Sequence, residues 1–181
     1  MLEKNPEQVE PATGELAVLA GVQKAIARPA TVKAARGLSH FGEHSAGWFA
    51  LGLVGAAVDK AHRKDWLAAA AGVVGAHAAS IAVKRVVRRA RPDHPSVKVG
   101  VGTPSKLSFP SSHATSTTAA AVLYSGLTGR NLVPALVPPM LASRLVLGVH
   151  YPTDVLAGAA LGGAVGGLLR RKLNSRKRKP R

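Results

Sequence analysis

Residues 131–169 read NLVPALVPPMLASRLVLGVHYPTDVLAGAALGGAVGGLL. Two charge-free runs, 131–143 and 155–169, flank a short segment that carries Arg144, His150 and Asp154. Long apolar stretches broken by a few polar groups suit helices packed in a bundle whose outer faces meet lipid. The pattern repeats upstream at 44–58, 66–83 and 107–129, with short polar or basic breaks between runs. A spanning helix needs about 20 residues, so the shorter runs must borrow flanking positions. Gly158, Gly162 and Gly166 fall on one face of the last run, where small residues let helix backbones approach closely. The expected architecture is an all-α, multipass transmembrane bundle of five to six helices. A soluble protein with buried core helices is the alternative. Trp48 and Trp66 stand near run ends, as interfacial anchors do.

The charge balance sharpens this reading. The 181 residues hold 25 Lys and Arg against 9 Asp and Glu, a net charge of +16, and no cysteine. The missing thiols exclude a disulfide framework, thiolate catalysis and Cys-ligated metal sites. Such an excess of cations first suggests nucleic acid or an anionic membrane. Seven of the nine acids precede residue 66, leaving Asp93 and Asp154, whereas the surface of a soluble helical domain mixes both signs. Residues 1–13 are acidic and lack a signal-peptide pattern. From Thr13 to Leu38, Lys24, Arg28, Lys33 and Arg36 form a basic stripe, read as a helix lying on the membrane surface. The chain thus divides into an interfacial segment over 1–44, a transmembrane catalytic domain over 45–169, and a disordered basic tail over 170–181. The tail carries eight basic residues in twelve and is expected against anionic lipid headgroups.

Three polar clusters border the runs, and each has a bland reading beside a chemical one. Lys84, Arg88 and Arg91 are spaced by four and three, so a helix continuing to Pro92 would aim all three at one side, as a phosphate site needs. A basic membrane flank is the plainer explanation. In Pro110-Ser111-Ser112-His113, Ser111 or Ser112 can cap a helix whose free amides suit an anion, with an imidazole alongside. A Ser cap with a bystander His fits equally. His150 and Asp154 are four apart, so one imidazole nitrogen can face the carboxylate while the other acts as nucleophile or base. An unpaired Asp154 beside an apolar run would cost at least about 2.5 kcal/mol on insertion scales, and His150 is the nearest partner. A purely structural pair remains open.

Taken in order, Lys84 to Arg91-Pro92, Pro110 to His113, and Ser143-Arg144 through His150 to Asp154 resemble the three-part signature of the type 2 phosphatidic acid phosphatase (PAP2) superfamily. That resemblance implies a helical bundle that hydrolyses phosphate monoesters or pyrophosphates without a metal or other cofactor. It implies that His150 takes the phosphoryl group as a phosphohistidine, that Asp154 orients it, and that His113 protonates the leaving oxygen. Lys84, Arg91, Ser111, the Ser112 amide and Arg144 would cradle the phosphate. The commonest family form has Gly where Ser112 stands. Among bacterial members this short, Ala/Gly/Arg-rich chain is similar to phosphatases acting on decaprenylphosphoryl-5-phosphoribose in making cell-wall arabinan precursors. That likeness is overall and rests on no substrate motif. Undecaprenyl pyrophosphate, phosphatidylglycerophosphate and phosphatidic acid are the other candidate substrates.

Competing chemistries fit less well. A two-metal phosphatase needs clustered carboxylates, and only Asp93 and Asp154 lie near the motifs. His40, His44, His62, His77 and His94 share no ligand spacing and are read as non-catalytic. A vanadate-dependent haloperoxidase uses the same cradle, but the membrane-like runs oppose it. A non-enzymatic protein binding nucleic acid or anionic lipid would tolerate loss of His150; no nucleic-acid partner is expected. If the five runs cross in turn, all three clusters fall at one end, and the short loop and basic tail at the other favour an extracytoplasmic site.

Overall fold

The structure, a computed structural model, describes residues 11–177. Seven α-helices account for most of them: α1 (Gly14–Ile26), α2 (Pro29–Gly42), α3 (Ala46–Val58), α4 (Arg63–Val87), α5 (Ser112–Thr128), α6 (Val133–Val146) and α7 (Pro152–Lys177). Among the described residues the only β pairing is one antiparallel bridge, Ala90 to Leu107. α3 to α7 match the five charge-free runs. α4 and α7 are long and apolar enough to cross a membrane. Outward-facing Leu51, Leu53, Val54 and Val58 of α3, Leu67, Val74 and Val86 of α4, and Leu156 and Leu168 of α7 are exposed, an apolar outer surface that water would not favour.

α5 is the central helix. Its residues from Ala114 to Ala121 are all buried, because small side chains let neighbours close on every face. α7 lies against it through glycines. A Cβ on Gly158 would stand 2.5 Å from the Ser111 carbonyl oxygen, one on Gly162 would strike the Thr115 carbonyl, and one on Gly166 would stand 3.1 Å from the Val122 Cβ. A hydrophobic cluster gathers around Trp48, Trp66, Tyr124 and Met140.

Both tryptophans therefore depart from their expected place. Each is buried, and each indole N–H donates within the protein, Trp48 to Thr117 Oγ1 at 3.0 Å and Trp66 to Asp59 Oδ2 at 3.1 Å. An internal partner removes the need for interfacial water. The N-terminal stripe is also not one helix. Pro29 opens α2, and Thr31 Oγ1 accepts from the Arg28 amide at 2.9 Å, so α1 and α2 meet at a corner with Lys24, Arg28, Lys33 and Arg36 all exposed.

α4 stops at Val87 rather than at Pro92. Arg88 takes a left-handed φ of 53° with its N–H on the Lys84 carbonyl, so it is exposed and does not join Lys84 and Arg91. Leaving the helix lets the Arg89 carbonyl accept from the Ser108 amide at 2.8 Å. At the other terminus α7 runs on to Lys177, so residues 170–177 are helical where a disordered tail was expected. Leu169 packs on Gly72, and Leu173, one turn later, is buried. Residues 178–181 of the expected tail lie outside the described residues.

Candidate active site

The α4–α5, α6–α7 and α2–α3 junctions meet at one end of the bundle around a cavity of about 550 Å³. Lys84, Arg91, Ser112, His113, Arg144 and His150 line it. Ser111 and Asp154 lie immediately behind the wall, both at 0% exposure, joined by the Ser111 amide donating to the Asp154 carbonyl oxygen at 2.9 Å.

The sequence around His150 explains its placement. Gly148 has φ +67°, and a Cβ there would meet the Lys98 carbonyl oxygen at 2.5 Å, so only glycine fits the turn that delivers His150. Pro152 then starts α7 with a pre-set φ. Asp154, in its first turn, reaches back to accept from the Tyr151 amide at 2.8 Å, one half of a capping box. That contact fixes the carboxylate with Oδ2 3.5 Å from His150 Nδ1, an ion-pair distance longer than a hydrogen bond. His150 Nε2 points the other way, 3.2 Å from Arg91 Nη1.

Three cations surround the imidazole in different ways. Arg91 is anchored by Nε to the Ser105 carbonyl at 2.8 Å and by Nη1 to the Val149 carbonyl at 2.6 Å. Burial lowers its pKa to about 10, against the favourable charge of Asp154, so it stays cationic at neutral pH. Arg144 is 2% exposed, donates from Nη1 to Ser39 Oγ at 2.8 Å, and has no protein partner for Nε among the described residues. Lys84 directs Nζ at the carbonyls of Ser108 (3.0 Å) and Pro110 (2.6 Å), so it braces the loop that enters α5 as well as lining the cavity. Burial first, then Arg91, Arg144 and Lys84, hold the His150 pKa well below the usual imidazole range. The neutral ring keeps a nitrogen lone pair, as a base or a nucleophile needs.

α5 brings the remaining groups. Ser111 is its N-cap, with Oγ accepting from the Ala114 amide at 3.4 Å. The first amides of a helix have no carbonyl partner within it and favour an anion, and here they belong to Ser112 and His113. Ser112 carries its Cβ without conflict, and its hydroxyl meets Ser80 Oγ at 2.7 Å. His113 Nε2 donates to the Ser39 carbonyl at 2.9 Å.

Several residues that hold this site have no counterpart in the three motifs. Arg89 Nη1 meets Asp154 Oδ1 at 3.1 Å, its Nη2 pairs with Glu15 of α1, and its guanidinium lies 3.9 Å over the Tyr151 ring. Glu15 in turn accepts from the Thr153 amide and hydroxyl at 2.9 and 2.7 Å. Asp154 thus has a cationic partner besides His150. Gln23 of α1 donates to the Lys98 and Val146 carbonyls and accepts from the Lys98 amide, pinning two loops together. The sequence signal for Arg89 was the need of Asp154 for a counter-charge near a run of four arginines. Glu15, Gln23 and Ser39 offered none.

Comparison with known proteins bears on the family and the fold. A family model described as the PAP2 superfamily matches residues 65–178. The decaprenylphosphoryl-5-phosphoribose phosphatase of Mycolicibacterium smegmatis is 63% identical over 146 residues, which cover 80% of this chain and 81% of that protein. The protein of the same name from Mycobacterium tuberculosis is 56% identical over 157 residues, 86% of this chain and 89% of that one. Among solved structures, a transmembrane PAP2 type phosphatidylglycerolphosphate phosphatase from Bacillus subtilis superposes with a TM-score of 0.72 at 24% identity, covering 90% of this chain and 87% of that chain.

Proposed function

The chain belongs to the PAP2 superfamily of phosphatases, and from that premise we propose that it hydrolyses the phosphate monoester of decaprenylphosphoryl-5-phosphoribose without a metal, through a phosphohistidine on His150. The observation that carries the mechanism is the His150 ring, with Nδ1 3.5 Å from Asp154 and Nε2 3.2 Å from Arg91, in a cavity shared with Arg144 and His113. The substrate reading is supported by the names of relatives 56 and 63% identical over most of the chain.

Nε2 attacks phosphorus as the bond to the sugar oxygen breaks, and His113 gives that oxygen its proton. Water, giving a proton back to His113, then attacks the phosphohistidine; the P–N bond breaks, phosphate leaves and Nε2 returns to its neutral state. Charge spread over the equatorial oxygens in both steps meets the Arg91 and Arg144 guanidinia, Lys84 and the α5 amides. Asp154 offsets the positive charge that develops on the ring.

The protein is membrane-associated, and α3 to α7 cross the bilayer in turn. The site faces the outside, and Arg170, Arg171 and Lys172 rest against anionic headgroups on the opposite face. Phosphate release from a short-chain analogue of the lipid in detergent is the test. It should persist in EDTA and vanish in His150→Ala. Full activity in that variant removes the mechanism, and release from phosphatidylglycerophosphate or phosphatidic acid but not from the ribose lipid removes the substrate.

A further inference from the structure

We propose that Glu43, His44 and His77 form a subsite for the hydroxyl groups of a sugar, on the leaving-group side of the phosphate cradle. The proposal rests on the phosphatase reading above and adds which residues meet the hydroxyls of the leaving sugar. A cavity of about 550 Å³ has the size of sites that enclose whole small molecules, whereas a phosphoryl group needs only the corner between His150, Arg91 and Arg144. In a near in-line transfer the leaving oxygen departs opposite the nucleophile. It therefore leaves on the His113 side, and the alcohol attached to it must occupy the cavity beyond His113.

That part of the cavity is walled by polar groups. Ser39 touches both His113 and Arg144, and Glu43, the first residue after α2, lines the same cavity, where its charge acts on Arg144. On α4, Ser80 contacts Ser112 at 2.7 Å and donates to the His77 carbonyl at 2.6 Å. His77 lies two turns, roughly 10 Å, along the helix from Lys84. It acts electrostatically on His113, and its ring stands 6.2 Å from that of His44. His77 Nδ1 is buried with no hydrogen-bond partner among the described residues. Glu43 meets His40 at 4.0 Å, outside hydrogen-bond range. The turn carrying Glu43 and His44 is held by two successive left-handed residues, His44 at φ 50° and Ser45 at φ 60°, a conformation that costs energy and persists where the surroundings demand it.

A carboxylate accepts from two hydroxyls, and an imidazole donates at one nitrogen and accepts at the other. The set suits a vicinal diol. A prenyl or acyl chain joined directly to the phosphate would place hydrocarbon against these same groups, which is unfavourable. Among the described residues no three His, Asp or Glu converge as a metal site needs, so the cluster is matched to hydroxyls rather than to a cation.

The experiment compares a short-chain polyprenylphosphoryl-5-phosphoribose with its 2,3-dideoxyribose analogue, using the full chain in detergent as parent, Glu43→Gln and His77→Phe. Expected is a KM for the ribose substrate raised about tenfold in each variant, the worth of one lost hydrogen bond. With the dideoxy analogue the three proteins should share one KM, higher than that of the parent for ribose, which also shows that the variants fold. Equal KM increases on both substrates, or none on either, overturn the subsite while leaving the phosphatase reading intact. A parent that cleaves other lipid phosphates but neither of these two overturns both.

Discussion

At the scale of single residues, the site is built around a neutral histidine among cations. Because burial and Arg91, Arg144 and Lys84 hold His150 below the ordinary imidazole pKa, the acidic limb of kcat/KM set by this group should lie below about pH 6.5. Arg89 is a positioning residue, acting on His150 only through Asp154. Arg89→Leu removes a cation in direct contact with that carboxylate. That makes Asp154 easier to protonate and favours the charged imidazole, and both effects move the limb upward, by about one unit. Arg89→Lys should restore much of the parent profile. A pH–rate series on the three proteins checks this, and an unmoved limb in the Leu variant means that Arg89 only supports the fold. Asp154→Asn should cost on the order of 10⁴ in kcat if the carboxylate works as in other His–carboxylate pairs. The eight motif residues were singled out by their order and spacing, since a lone basic flank or serine cap beside an apolar run is ordinary. Glu15, Gln23 and Ser39 were not, since they are ordinary helix residues whose partners lie 74 to 138 positions away.

At the scale of elements, charge-free runs located α3 to α7, but they could not show where a helix yields to a loop. α4 ends early because Arg88 to Ala90 turn to pair with residues 107 and 108, and α7 extends because Leu169 and Leu173 find neighbours on α4 and α5. Those are contacts between segments, to which a local pattern is blind. The glycine face of α7 was visible, and its consequence is a fixed gap between the helix that carries Asp154 and the one that begins at Ser111. Gly162→Ala, where a Cβ would strike the Thr115 carbonyl, should destabilise by about 1–3 kcal/mol and reduce activity by separating the two helix ends. Gly75→Ala, with nothing within 4 Å, should be neutral or mildly stabilising. Thermal unfolding of the two variants in one detergent makes the comparison, and equal losses would contradict it.

At the scale of the molecule, two bulk properties follow. His150 binds a proton less readily in the folded protein than in the unfolded chain, so its contribution to stability is present above about pH 6.5 and is lost as pH falls. Thermal midpoints measured downward from pH 7 should decline, and by less in His150→Gln. The absence of cysteine gives single-cysteine labelling a clean background. Val99, 62% exposed at the catalytic end, and Arg130, exposed at the other end, are suitable positions. With the site outside, an impermeant maleimide should label Val99→Cys in intact cells and spare Arg130→Cys; the opposite result inverts the orientation. The ties between α1–α2 and the last third of the chain also impose an order in time. Glu15 to Thr153 spans 138 positions, Gln23 to Val146 spans 123, and Ser39 to Arg144 spans 105. A nascent chain that has not yet emitted α7 holds Arg91, His113 and Arg144 but lacks Asp154, the carboxylate proposed to orient His150. Closure of such distant pairs is the slow part of folding, so catalytic competence comes as the final event of synthesis, after the rest of the helices have been made.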